Sequence, residues 1–139
     1  MRVMLDTNIL VSAIYSASGT PALAYQKASE PPHSLVLCDQ ILDELRRIFN
    51  RKFPLKIASM ERFLSMAKYD LITIVPEDAS GVEEHKVRDP ADRPILRAAV
   101  KASVDILVTG DKDFLESAVE NPKIMTAADF LRYPPHGPI

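Results

Sequence analysis

Short apolar runs recur along the chain at residues 2–5, 35–38, 71–75, 106–108 and 123–125, and mixed polar and apolar stretches of helical length separate them. Brief runs rich in Val, Ile and Leu, alternating with helix-period segments, predict βαβ units with a parallel sheet whose right-handed crossovers place helices on both faces. The helices are expected at residues 8–14, 20–28, 40–49, 60–69, 93–102, 114–119 and 127–131. Residues 76–90 read as a polar, acidic loop carrying Gly81, and the Tyr133-Pro-Pro-His-Gly-Pro tail is too proline-rich to be regular. Nothing in the 139 residues marks a linker, a repeat or a low-complexity tract. One α/β domain spanning residues 1–139 is therefore expected, a length that buries on the order of 70% of the unfolded surface in a single core.

Composition narrows the class. The chain is 47% hydrophobic and 26% charged, and no uninterrupted apolar stretch approaches the roughly 18 residues of a membrane span. Met1 leads directly into Val3-Met4-Leu5, which leaves no room for a signal peptide, so a cytoplasmic location without membrane attachment is expected. Seventeen basic against 19 acidic side chains give a net charge of -2, which argues against non-specific coating of nucleic acid but permits a local basic patch. The lone Cys38 excludes an intramolecular disulfide and, following Ser34-Leu35-Val36-Leu37, reads as a buried small hydrophobe. His33, His85 and His136 show no zinc-like spacing and are expected at the surface.

The candidate chemistry lies in the acids. In an open parallel sheet, ligands bind outside the carboxyl ends of the strands, and Asp6 and Asp111 follow strands directly or across one glycine turn. The plainer alternative is that Asp6 or Asn8 merely caps the helix that begins there, but one cap residue suffices, which favours a functional Asp6. On the helix at 40–49, Ile41, Leu42, Leu45, Ile48 and Phe49 form one apolar stripe. At about 100° per residue, Asp43 falls roughly 160° from the stripe centre while Glu44 lies at its margin, so only Glu44 leans toward the sheet edge. In Arg88-Asp89-Pro90-Ala91-Asp92-Arg93-Pro94, Pro94 is tolerated only in a first helical turn, which starts the helix near Asp92 and leaves Asp89 in the preceding turn. Counted back from Ile95, Leu96 and Ala99, Asp92 projects inward, where a charge is costly unless paired or metal-bound. In Thr109-Gly110-Asp111-Lys112-Asp113-Phe114, Asp113 with Glu116 suggests a capping box, leaving Asp111 with no cap to make; Thr109 and Lys112 could contact phosphate or water. Carboxylates crowded in this way call for a hard divalent cation with oxygen ligands, Mg²⁺ or Mn²⁺.

Taken together, Met4-Leu5-Asp6-Thr7-Asn8, the helical Glu44, Asp89-Pro90-Ala91-Asp92 before an alanine-rich helix, and Val108-Thr109-Gly110-Asp111-Lys112-Asp113-Phe114 resemble the PIN-domain nucleases. The likeness is to the toxin components of bacterial and archaeal toxin-antitoxin modules, and it runs to Met125-Thr126-Ala127-Ala128-Asp129-Phe130-Leu131. The resemblance implies a sheet ordered 3-2-1-4-5, Mg²⁺- or Mn²⁺-dependent cleavage of RNA, a homodimer, and an antitoxin that occludes the site. By position Asp6, Glu44, Asp92 and Asp111 match the family's acidic set, Asn8 and Thr109 its polar companions, and Asp113 an acid that sometimes joins; Asp89 is a supporting turn residue.

Metal-activated water would then attack a phosphodiester. Arg46, Arg47, Arg51, Lys52 and Lys56 form the densest basic run and, with Lys112, are candidates to grip the RNA backbone; a solvated helix face or a surface for an acidic partner explains the run equally well. Two other readings compete. One is a catalytically silent PIN-like module that binds RNA or a partner. The other is an aspartate-based phosphatase or receiver domain. Asn8 stands where a phosphatase wants a second acid, and Val75 leads into Pro76 where a receiver wants its phospho-acceptor. The Met60, Phe63, Leu64 and Ala67 pattern suits either the core or a dimer interface.

Overall fold

The computed structural model describes residues 1–73 and 83–136. Its centre is a five-stranded parallel sheet in the order β3-β2-β1-β4-β5, built from β1 (Arg2–Leu5), β2 (Ser34–Cys38), β3 (Asp70–Ile72), β4 (Ile106–Val108) and β5 (Lys123–Met125). Helices α1 (Thr7–Tyr15), α2 (Thr20–Ser29), α3 (Asp39–Lys52), α4 (Ile57–Met66), α5 (Arg93–Lys101), α6 (Lys112–Leu115) and α7 (Ala127–Arg132) flank it. Past their first residues, Arg2 of β1 and Ser34 of β2, the central strands are apolar because a parallel sheet is covered on both faces. Val3, Met4, Leu5, Ile106, Leu107 and Val108 are all fully buried, with Met4 paired to Val36 on one side and to Leu107 on the other.

Strand order reverses direction at β1: the connections out to β3 step one way, and those to β4 and β5 step the other. The crevice at the carboxyl ends of β1 and β4 is therefore the switch point of the sheet, where such folds bind ligands. Asp6 and Asp111 stand on either side of it. The register holds them there: Leu5 pairs with Val108, and the backbone N–H of Asp6 donates to the Val108 carbonyl at 2.9 Å.

Several expectations shift. The apolar run continuing to Val75 and the loop residues around Gly81 lie partly outside the described residues, as do Gly137 and Pro138 of the tail. Within the described part of the 76–90 segment the loop carries a 3-10 turn at Glu83–Lys86, and a second at Pro90–Asp92 follows the irregular residues 87–89. The fourth helix runs Ile57–Met66 rather than 60–69, entered through a 3-10 turn at Pro54–Lys56, and Ala67 leaves the helix extended so that Asp70 can pair with Val36. The sixth helix is one turn, Lys112–Leu115, instead of 114–119. Ser117 ends it, since both its backbone N–H and its hydroxyl return to the Phe114 carbonyl, the hydroxyl at 2.6 Å.

His33 is a further correction: it is buried, only 6% exposed, with its ring against Phe130. The Pro31-Pro32 turn delivers it into the start of β2, where α7 covers it, and burial holds its pKa below the usual histidine value. Cys38 is buried as expected, and that burial pushes its thiol up to about 11.

Candidate active site

Asp6 serves both the helix and the site. It is 5% exposed; its Oδ1 accepts from the Thr7 N–H at 2.8 Å, capping α1, and its Oδ2 accepts from the Thr109 hydroxyl at 2.7 Å. Burial raises its pKa above the usual carboxylate value, partly offset by those two hydrogen bonds, and the nearby Glu44 and Asp111 raise it further. Thr109, fully buried, is the strut of the site. While donating to Asp6 it accepts from the Asp111 N–H at 3.0 Å, so one hydroxyl fixes the two acids relative to each other across the switch point.

Glu44 reaches the crevice from α3. Its Oε2 accepts from the Thr7 hydroxyl at 2.8 Å and its Oε1 from the Gln40 amide at 3.0 Å, whereas Asp43 is exposed. Glu44 thus turns toward α1 and Asp6, the direction given by the α3 apolar stripe.

Asp92 is half-buried at the start of α5 and makes no capping hydrogen bond. Its Oδ2 is buried without a hydrogen-bond partner. Burial pushes its pKa up to about 7, followed by the charges of Asp111, Asp6 and Asp89 and a hydrogen bond with Asp111. The turn before it is made by Asp89, whose side chain accepts from the Ala91 N–H at 3.0 Å. Carboxylate oxygens of Asp89, Asp92 and Asp113 lie within 4.8 Å of one another, so Asp92 is shared between this outer group and the inner acids, buried Asp6 and half-buried Asp111. Arg88 pairs with Asp113 at 2.7 Å, whereas Asp6, Glu44, Asp89, Asp92 and Asp111 form no ion pair among the described residues.

The tasks of the two aspartates after β4 are the reverse of the capping-box expectation. Asp111 caps α6, its Oδ1 accepting from the Asp113 N–H at 2.9 Å, and Asp113 instead faces Arg88. The helix begins at Lys112, two residues earlier than the apolar pattern suggests, and that moves the cap back to Asp111. Asp111 keeps its second oxygen for the crevice.

The basic residues separate. Arg46 is bidentate to Glu61 on α4, at 3.0 and 3.2 Å. Lys56 lies over the Tyr15 ring, 4.8 Å from its centroid. Arg47 and Arg51 line a groove with Glu44 and Ile48, while Lys52 and Lys112 are exposed elsewhere. Asn8 is exposed in the first turn of α1. Sequence reasoning missed Thr7 and Gln40 as the groups that steer Glu44. Gln40 was readable as an i,i+4 neighbour of Glu44, whereas Thr7 emerges only once α1 and α3 are packed. It also missed Arg88 as the partner of Asp113.

An orphaned buried oxygen on Asp92, whose proton affinity burial and the charges of Asp111, Asp6 and Asp89 raise, fits a bound hard cation, and the donor set, all oxygen, fits Mg²⁺ or Mn²⁺. A family model described as PIN domain matches residues 2–113, from the start of β1 through Asp113. The chain belongs to the PIN domain family. No curated protein matches it in sequence. Among solved structures, the PIN fold here is similar to VapBC2 from Rickettsia felis, solved bound to a DNA fragment from its promoter, with a TM-score of 0.66 and 19% identity over 90% of this chain and 97% of that one. It is also similar to PAE2754 from Pyrobaculum aerophilum, at TM-score 0.62 and 17% identity over 95% and 88% of the two chains. A third similar structure is VapC20 from Mycobacterium tuberculosis, a toxin that cleaves the sarcin-ricin loop, at TM-score 0.57 and 19% identity over 85% and 96%.

Proposed function

We propose that this PIN domain is an endoribonuclease dependent on Mg²⁺ or Mn²⁺ and acts as the toxin of a toxin-antitoxin module. The observation that carries the reading is the partnerless buried Oδ2 of Asp92, set beside Asp6 and Asp111 at the sheet's switch point. Asp6, Asp92 and Asp111 are the candidate ligands, and Glu44 completes the shell directly or through water. A cation held there supplies an activated water and neutralises charge developing on the phosphate. The chain's own groups set the stage for that chemistry. Thr109 locks Asp6 to the Asp111 backbone, Thr7 and Gln40 fix both oxygens of Glu44, and Asp89 shapes the turn that delivers Asp92. Among the described residues no histidine is hydrogen-bonded to these acids, which leaves the carboxylates as the nearest proton acceptors.

The neighbours named for RNA cleavage and for a toxin-antitoxin assembly support an RNA substrate and an antitoxin partner. Exposed Leu23 and Met66, and a mainly apolar groove of about 370 Å³ lined by Tyr25, Phe63, Met66 and Ala67, support a protein-binding face, for an antitoxin or for a second copy in a homodimer. No helix among the described residues is long and apolar enough to cross a membrane, and we assign the protein to the cytoplasm, where its RNA substrate would be met.

Incubation of a mixed RNA pool with wild-type protein tests the reading. Fragments are expected with Mn²⁺ or Mg²⁺ and not with EDTA. Retention of intact RNA on the protein under every metal condition would instead favour the silent binding module.

A further inference from the structure

Four clustered carboxylates repel a phosphate chain, so a nuclease built on them needs cations nearby to hold the strand while the site itself stays acidic. The run offers four basic residues on α3, Arg46, Arg47, Arg51 and Lys52, and Lys56 in the turn after it, and the fold removes some of them from that task. Arg46 is held by Glu61, and Lys56 lies over Tyr15. Arg47 and Arg51 are exposed and carry no ion pair among the described residues. They project one helical turn apart into the same groove, about 210 Å³ in volume, whose other walls are Ile48 and Glu44. Glu44 is the acid that Thr7 ties to the Asp6 end of the crevice. The groove therefore runs along one face of α3, with the site acid Glu44 at one end and Arg51 about two turns away at the other.

We propose that this groove carries the RNA backbone leading out of the cleavage site, with Arg47 and Arg51 each gripping one phosphate. The direction of the strand rests on the nuclease reading above. The grip rests on the groove alone. One turn of helix separates the two guanidinium stems by about 6 Å along the axis, a spacing that an extended single strand can meet with successive phosphates.

The test is fluorescence anisotropy of a labelled 12-nucleotide single-stranded RNA in EDTA, titrated with salt. Each phosphate contact to a single strand steepens the dependence of log K on log salt by about 0.7. Arg47→Gln with Arg51→Gln should therefore flatten the slope by about 1.4 and weaken binding roughly tenfold at moderate salt. The pair Arg47→Lys with Arg51→Lys should recover the wild-type slope, showing that charge and not a damaged fold is being read, and Lys101→Gln, remote on α5, should match wild type. A wild-type slope in the Gln pair, an equal flattening in Lys101→Gln, a Lys pair that fails to recover, or no RNA binding by wild type would each overturn the track. Cleavage assays on the same proteins separate the two ideas. An arginine-dependent slope without metal-dependent cleavage keeps the track and removes the nuclease; cleavage with a slope indifferent to both arginines does the opposite.

Discussion

Asp111 and Asp113 are two residues apart and chemically identical, yet their surroundings give them separate tasks. Asp111 combines a cap with a place in the crevice, so its charge and its hydrogen-bonding can be removed separately. Asn caps a helix as well as Asp does; Asp111→Asn should abolish metal-dependent RNA cleavage while leaving the metal-free melting temperature unchanged or higher. Asp111→Ala should also lose the cap and about 0.5 to 2 kcal/mol of stability. Asp113→Ala breaks only an exposed pair with Arg88 and should change stability little. Cleavage assays with melting curves on the three variants decide this, and a folded, active Asp111→Asn protein would remove that residue from the site. A second prediction concerns pH. Asp92 binds its proton more tightly folded, at about 7, than at its ordinary 3.8, so the folded state holds the extra proton between those values and stability falls as pH rises through that window. Buried His33, held below its ordinary 6.5, has the opposite sign, so the comparison with Asp92→Asn isolates the effect. In EDTA, wild type should gain melting temperature relative to Asp92→Asn on going from pH 7.5 to 5.5; parallel curves would reject the crowding of Asp92. The inward turn of Glu44 was legible from the α3 stripe, because helix register is set by a few buried residues. The Asp111 cap was not, because it hinges on a helix start that periodicity locates only to a few residues.

At the scale of elements, the segment that delivers Asp89 and Asp92 needs an anchor, and an ion pair supplies it. Glu84, 2% exposed in its side chain, accepts from Arg97 on α5 at 2.7 Å, and fully buried Val87 sits beside it. Glu84→Ala would leave the Arg97 guanidinium buried without this carboxylate, a loss that costs about 3 to 5 kcal/mol. Chemical denaturation should show that loss, together with reduced cleavage because residues 87–92 lose their support. A cost below about 1 kcal/mol would mean that water replaces Glu84 there. No sequence pattern announced this pair, whose members are 13 residues apart across a helix start. The strands, by contrast, were plain in the chain, since the stretches of β1, β2 and β4 covered on both faces are short unbroken apolar runs. The one-turn α6 was overestimated because a capping pattern and two apolar residues promise a longer helix, while the Ser117 hydroxyl that ends it acts through a single hydrogen bond.

For the whole molecule, sheet order matters more than any single element, since it alone makes β1 and β4 neighbours and so brings residues 6 and 111 together. That order is not contained in hydrophobic periodicity; it came with the motifs shared by the family, whose match runs through both acids. The consequence is that the native fold concentrates negative charge which the unfolded chain spreads out. Part of the folding free energy therefore opposes ionised acids in the crevice, and any cation that binds there binds the native state in preference to the unfolded one. Such a ligand stabilises by RT ln(1 + [L]/Kd), about 2.7 kcal/mol at 100 times its dissociation constant, and for a domain of this size that is a rise of several degrees. Millimolar Mn²⁺ should raise the melting temperature of wild type accordingly. Asp6→Asn keeps one oxygen to cap α1 while its amide NH2 faces the Thr109 hydroxyl, so its own metal-free melting temperature is the baseline, and it should show little of the rise. Equal shifts in the two proteins would mean that Mn²⁺ binds outside the crevice, and Asp6 would then be a structural cap rather than a ligand.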